Sequence, residues 1–237
     1  GARPLAQALR ELLNSPERRR DLSQSARETA REMYSMRSVG SQLVEAYEGG
    51  ARTNSKRKRS PGHLLWVTNV PTPYRTPLWR ELGDRCDLTV AFMAESEPNR
   101  DWVVDLDRAK YQVHDLRAKP IARSGDSVIY GPSWRLVKLL NQRPKAIVLD
   151  GWESPAYMVA RWWARRRGIP VIASYRSTQS THRFDSGTVD RVRRWFFHGA
   201  DRVLTAGQAS TEAVKAMGVS VSKIVEGFNT VESSGFS

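Results

Sequence analysis

The stretch from Lys145 to Ser174, KAIVLDGWESPAYMVARWWARRRGIPVIAS, decides how the rest of the chain is read. Ala146, Ile147, Val148 and Leu149 are an unbroken apolar run, the pattern of a strand buried on both faces of a sheet. Asp150 and Gly151 end it. The spacing then predicts a helix over Glu153–Arg167, with Pro155 in the first turn, where a missing N–H costs nothing, and Gly168 just past the end. Its predicted buried face is Ala156, Val159, Ala160 and Trp163. Ile169–Ala173 is a second short buried strand, so the unit reads as strand, helix, strand with a right-handed crossover, the core of an open α/β sheet.

Composition limits what surrounds that unit. With 237 residues and 40% hydrophobic content the chain has enough apolar material for one large or two small domains. A net charge of +13 calls for an acidic partner, whether nucleic acid, anionic lipid or a phosphorylated small molecule. Cys86 is the one cysteine, which excludes a disulfide framework and a thiolate zinc cluster and favours a reducing compartment. His63, His114, His182 and His198 show no metal-ligand spacing, and no metal is expected. No apolar run approaches the roughly 20 residues that span a bilayer. Gly1 is not an initiator methionine and Ser237 follows soon after a strand-like segment, so the chain is expected to be a fragment.

Residues 4–47 read as three helices. Leu5, Leu9, Leu12 and Leu13 share one face; Ser15 and Pro16 restart the chain as N-cap and first helical residue; Leu22, Ala26, Ala30 and Met33 mark the second helix. Ser35 caps a third, with Met36, Val39, Leu43 and Tyr47 as its apolar stripe. Residues 48–62, with the basic run Lys56–Arg59, are a flexible linker or, alternatively, a nucleic-acid patch. Strands are predicted at Leu64–Val70, Asp87–Met93, Tyr111–Leu116, Asp201–Thr205 and Lys223–Glu226. Helices are predicted at about Thr76–Asp84, around Trp134–Leu140, and at Val189–His198 and Thr211–Met217. Val192, Trp195 and Phe196 are expected on one side of the helix 189–198, and Pro120–Gly131 is expected to be irregular.

Alternating strands and helices of this size make a doubly wound, mostly parallel sheet, with ligands outside the carboxyl ends of its strands. The loops that must share that edge carry Pro73, Tyr74 and Arg75; Arg100, Asp101 and Trp102; Asp150, Gly151, Trp152 and Glu153; and Arg176, Ser177, Thr178 and His182. Arginines fork onto phosphate or carboxylate, carboxylates accept sugar hydroxyls, and indoles stack on apolar ring faces. That mixture suits a polyhydroxylated, partly anionic ligand. His182 is the candidate for acid–base work, weighed against a surface histidine. Arg161, Arg165, Arg166, Arg167, Arg191, Arg193 and Arg194, interleaved with Trp195 and Phe197, fit either an anionic leaflet or a solvated face. No dinucleotide, P-loop, nucleophile-elbow or zinc motif occurs.

VTNVPTPYRTPLWREL (67–82), the Arg100-Asp101-Trp102 element, DGWESPAYMVARWWARRRGIPVIASYRST (150–178) and ADRVLTAGQASTEAVKAMGVSVSKIVEGFNTVE (200–232) together resemble the acceptor-side half of family-4-like glycosyltransferases, two-domain GT-B enzymes. Residues 4–47 resemble the closing helices of another enzyme of this kind. The domains expected are therefore a helical segment (1–47), the basic linker (48–62), a Rossmann-like acceptor-side domain (63–232) and a truncated interdomain linker (233–237), as in a tandem fusion; an independent helical module is the alternative.

The resemblance implies transfer of a sugar from a nucleoside-diphosphate donor to a glycan or glycolipid hydroxyl, generally with retention and without a bound metal or cofactor. It also implies a missing donor domain, so that this fragment alone is inactive. The acceptor cleft would use Pro73, Tyr74, Arg75, Arg100, Trp102, Gly151, Trp152, Glu153, Arg176, Ser177 and Thr178. Where many relatives carry a glycine-rich loop after the first strand, this chain has Pro71–Arg75. The setting expected is cytoplasmic, peripheral on the inner face of the plasma membrane, in polysaccharide or glycolipid assembly, with no specific nucleic acid. Two rivals are a basic α/β nucleic-acid or anion-binding module without catalysis and a nonenzymatic partner subunit.

Overall fold

The apolar runs become strands whose alternate residues feed two separate cores. The computed structural model describes residues 7, 10–33, 35–51, 62–98, 100, 104, 106, 110–124, 127–178 and 186–227. Along β1 (Leu64–Thr68), Leu65 and Val67 enter one core while Leu64 and Trp66 enter the other. The same division holds in β2 (Leu88–Phe92), where Ala91 is set against Leu88 and Val90. It holds again in β6 (Ala146–Leu149), where Ile147 and Leu149 are set against Ala146 and Val148. A period of two with both faces buried is what a doubly covered parallel sheet requires.

Seven strands pair in parallel in the order β3 (Gln112–Asp115), β2, β1, β6, β7 (Val171–Tyr175), β8 (Arg202–Thr205) and β9 (Ile224–Glu226). The order runs outward in both directions from β1 and β6, so the chain reverses its winding there. This is the doubly wound, Rossmann-like sheet expected from the sequence, and its switch point lies between β1 and β6.

Helices α4 (Trp134–Asn141), α5 (Pro155–Arg166), α6 (Gly187–His198) and α7 (Gln208–Ala216) cover one face, supplying Leu136, Ala160, Phe197 and Val214 to its core. The opposite face is covered by α3 (Thr76–Gly83) and by α2 (Met36–Ala51), which lies before the sheet in the chain. Ser35 caps α2, its Oγ accepting from Ser38 N at 3.1 Å. Val39, Leu43 and Tyr47 of α2 pack with Trp66, Leu78 and Trp79, so this helix is a layer of the sheet's own core. The preceding α1 (Pro16–Met33) is different: Leu22 on its predicted apolar stripe is 51% exposed, and Leu13 before it is also exposed.

Four expectations are corrected. Residues 120–131 are not irregular: β4 (Pro120–Ser124) and β5 (Ser127–Tyr130) form an antiparallel pair with a register shift after Pro120. The proline and short length hid the alternation that buries Val128 and Tyr130. The strand predicted at Ile169–Ala173 starts two residues later, at Val171, because Pro170 has no N–H to give the ladder. On α5 the fully buried residues are Ala156, Tyr157, Ala160, Arg161 and Ala164; Ala156 and Ala160 are as expected, Trp163 is half-buried against the core, and Val159 is half-buried. On α6, Asp190, Arg193, Phe196 and Phe197 are buried, whereas Val192 and Trp195 are exposed. Each helix buries an arginine, Arg161 or Arg193, against the hydropathy pattern, and on α6 the expected Trp195 is exposed.

If α2 is integral to the sheet core, Leu43→Ala should cost about 2–5 kcal/mol, as for other buried leucines. Urea unfolding followed at the tryptophans checks this; a single transition shifted to lower urea is expected. A loss confined to helical signal, with the sheet transition unmoved, would show α2 to be a separate layer.

Candidate functional site

Asp150 ends β6 at the switch point, and four side chains converge on its carboxylate. Arg75, at the turn leading into α3, places Nη1 2.6 Å from Oδ2, and Arg176, just after β7, places Nη2 2.9 Å from Oδ1. Thr68, the last residue of β1, donates its hydroxyl to Oδ2 at 3.0 Å, and Ser174 of β7 donates to Oδ1. Arg176 Nη2 also donates to the Asp150 carbonyl at 3.1 Å. The loops after β1, β6 and β7 therefore meet around one buried anion.

The electrostatics follow from this packing. Burial alone would raise the Asp150 carboxyl, but Arg176 and Arg75, with the hydroxyls of Ser174 and Thr68, outweigh it and hold the group below the usual carboxylate range. Arg176 is held above its ordinary value: burial lowers it, and Asp150 more than compensates. Arg75 is lowered, because burial exceeds the attraction of Asp150; its guanidinium also lies 5.7 Å from the Trp66 ring centroid. Two cations on one anion leave the cluster net positive. Asp150 is already saturated with donors, so it cannot act as a base. Its role is to aim the two guanidiniums.

A second layer holds the turn. A Cβ at Gly151 would come within 2.5 Å of the Tyr157 ring, so only glycine lets that buried ring lie against the backbone. Tyr157 donates through its hydroxyl to Asn69 Oδ1 at 2.7 Å, joining the start of α5 to the loop after β1. Its phenol is held well above the normal range by burial, then by Asp150 and Glu153. It is a structural donor with no acid–base role at neutral pH.

The residues singled out from sequence distribute as follows. Pro73 and Tyr74 are exposed beside the cluster, while Arg75, expected to project with Tyr74, points inward with 4% of its side chain exposed. Gly151 and Trp152 are half-buried, and exposed Glu153 folds back to accept from Trp152 N at 3.1 Å. Arg176 is the accessible cation, with 36% of its side chain exposed; Ser177 is exposed and Thr178 half-buried. Arg100 pairs with buried Glu97 at 3.0 Å, and Glu97 accepts from the Tyr130 hydroxyl at 3.1 Å, tying the loop after β2 to the β4–β5 hairpin. Asp101, Trp102 and His182 lie outside the described residues, as do the basic run Lys56–Arg59 and residues 229–232.

Sequence reading placed Asp150 on the edge among the converging loops but left it out of the acceptor set and did not make it the partner of Arg75 and Arg176. The signal was a carboxylate directly following four buried apolar residues, which has to find cations. Thr68, Ser174, Tyr157 and Asn69 carried no such signal. Among the described residues no group of His, Cys, Asp and Glu side chains is placed to hold a metal ion.

Residues 56–226 match the Glycosyl transferase 4-like domain. No curated protein sequence matches the chain. Among solved structures, Anabaena Alr3699/HepE in complex with UDP is similar at 16% identity and TM-score 0.49, over 70% of this chain and 44% of that one. UDP-GlcNAc 2-epimerase from Neisseria meningitidis, bound to UDP-GlcNAc, is similar at 15% identity and TM-score 0.49, over 69% of this chain and 45% of that one. The chain thus spans less than half the length of either.

Replacing Asp150 by Asn would leave Arg75 buried without its counter-charge, at a cost of about 3–5 kcal/mol near neutrality. A carboxyl whose folded value is depressed contributes fully above its unfolded value, near 3.9, and that contribution is lost as pH falls through the folded value. The difference in urea unfolding free energy between wild type and Asp150→Asn should therefore be largest at neutral pH and shrink below about pH 4. A difference independent of pH would refute the charge-based account.

Proposed function

Because the chain belongs to the glycosyl transferase 4-like family, we propose that residues 63–232 are the acceptor-side half of a GT-B enzyme. This half would work with a donor domain to move a sugar from a nucleoside diphosphate to a hydroxyl of a glycan or lipid-linked glycan, with retention. The observation that carries this reading is Arg176: a partly exposed guanidinium at the winding reversal of a parallel sheet, fixed by a buried carboxylate. A cation held in this way binds anionic or hydroxyl-rich groups without first ordering itself. Exposed Tyr74 and half-buried Trp152 beside it supply ring faces on which a sugar can stack.

In this reading Arg176 holds the acceptor, Tyr74 and Trp152 pack against it, and Glu153, Ser177 and Thr178 accept or donate to its hydroxyls. Arg75 and Asp150 position Arg176 and do not touch the ligand. Arg100, Gly151 and Pro73 shape the rim, and Trp102 is assigned to the same acceptor set. His182 is the candidate acid–base residue. The donor phosphates fall to the domain that completes the crevice, so residues 1–237 alone give no transfer. In this reading residues 1–47 are the closing helices of a preceding enzyme in a tandem arrangement, with α2 folded onto the sheet of the half that follows. No helix among the described residues is long and apolar enough to cross a membrane. The place of action is the inner membrane surface, in polysaccharide or glycolipid assembly, with attachment through the basic aromatic helices α5 and α6.

Extending the chain through the coding sequence that follows Ser237 and assaying radiolabelled transfer from a panel of nucleoside-diphosphate sugars tests the reading. Transfer is expected from the extended protein and not from residues 1–237. Arg176→Ala should lower it about ten- to a hundredfold, the loss of a charged hydrogen bond. Undiminished transfer by Arg176→Ala, or full transfer by residues 1–237, would sink it.

A further inference from the structure

Arg161 sits on the buried face of α5 with 4% of its surface exposed, yet it forms no ion pair with a carboxylate among the described residues. Its Nη2 donates to the Trp195 carbonyl at 3.2 Å, and its guanidinium lies 3.8 Å from the Trp195 ring centroid. Its Nε–H has no acceptor among the described residues. Burial, followed by repulsion from Arg165, pushes it down to about 10 against a smaller attraction from Asp201. The backbone is shaped around it: a Cβ at Gly199 would lie 1.6 Å from Nη2.

This guanidinium lines a groove of about 590 Å³ with Trp162, Arg165, Arg166, Trp195, His198 and Gly199, and no carboxylate lines it. Some of the positive charge is already used. Arg165 Nη1 donates to the Gly199 carbonyl at 2.5 Å, as a cation does at a helix C-terminus, and His198 Nε2 donates to the Met217 carbonyl at 2.9 Å. Arg166 is exposed and stacks on Trp162, its Cζ 4.9 Å from the ring centroid. The groove is lined by the second half of α5 and the end of α6, the segments that lead into β7 and β8, so it opens at the amino edge of the sheet. Arg75, Asp150 and Arg176 lie at the opposite edge.

The surroundings select the ligand. Trp162 is 49% and Trp195 54% exposed. Arg165, Arg166, Arg167 and Arg191 flank them, all exposed. A free phosphate would meet the arginines and leave the indoles in water. An anionic leaflet covers both, because tryptophan settles at the headgroup level and arginine meets the phosphates.

We propose that the groove between α5 and α6 seats the phosphate of an anionic phospholipid headgroup, with Trp162 and Trp195 resting in the interfacial layer. The proposal rests on the membrane part of the reading above and is independent of the sugar chemistry. It turns the amino edge of the sheet toward the bilayer and the crevice at the carboxyl edge away from it.

Flotation of the whole 237-residue chain with phosphatidylcholine vesicles, with and without phosphatidylglycerol, tests this. Binding is expected only with the anionic lipid. The double substitution Trp162→Ala with Arg166→Gln, both at exposed sites, should weaken it about tenfold or more. Gly199→Ala, which displaces the Arg161 guanidinium, should weaken it while circular dichroism shows an unchanged fold. Should Gly199→Ala unfold, the exposed pair still decides. Equal binding by the exposed pair would overturn the groove and leave membrane attachment elsewhere on the protein. No vesicle binding by wild type would overturn groove and membrane reading together. Saturable binding of inorganic phosphate without vesicle binding, abolished by Gly199→Ala, would replace the lipid with a soluble anion.

Discussion

One buried carboxylate organises the functional edge of this protein. Asp150 sits between the two strands that flank β6, and it is satisfied from both sides: by Thr68 of β1, by Ser174 of β7, and by an arginine from the loop beyond each. Moving a charge out of water is costly, and a buried ion pair often returns little net stability for it. What such a pair does secure is geometry, because any arrangement that leaves a member uncompensated is strongly disfavoured. Three loops far apart in sequence are thereby held in one relative position. The sheet supplies the platform, and the ion cluster fixes what stands on it.

The Asp150 cluster and the Arg161 groove use the same residue type in opposite ways. Arg176 is held charged by a carboxylate and offers part of itself to solvent at the carboxyl edge. Arg161 lies among the Trp195 and Phe196 rings, the Trp195 carbonyl and another arginine; Asp201 attracts it without forming an ion pair, and no anion is bonded to it among the described residues. A guanidinium packed against its partner carboxylate is at rest. One without such a partner carries an unmet electrostatic demand, which an external anion can satisfy. Two local arrangements of arginine thus stand at opposite edges of the sheet, with different appetites for ligand.

That the sheet is doubly wound and mostly parallel was legible because β1, β2, β6 and β7 are largely apolar runs separated by helix-length segments, a pattern with few solutions; the order of the strands was not. The convergence of Arg75, Asp150 and Arg176 could be read as far as the shared edge, since topology alone brings those loops together. It could not be read further. Whether Arg75 points in or out depends on where the Asp150 carboxylate lies in three dimensions, and hydropathy ranks arginine as a surface residue in every case. The same blindness left Arg161 of α5 and Arg193 of α6 out of the buried faces and put Trp195 of α6 with Phe196, although it is exposed. The β4–β5 pair was missed because four- and five-residue strands with a proline leave too few positions for a period to show.

The packing of α2 has a consequence for the integrity of the molecule. Val39, Leu43 and Tyr47 cover Trp66 and Trp79, yet the covalent path from this helix to β1 runs through residues 52–61, four of which are the consecutive cations Lys56–Arg59. Trypsin-like proteases cut after such residues. A single cut there would turn a tethered helix, present at the high effective concentration that a short linker gives, into a free peptide at the cell's own dilution. The sheet would then keep its cover only to the extent that the peptide rebinds, and the indoles of Trp66 and Trp79, now shut away from water, would open to neighbouring molecules.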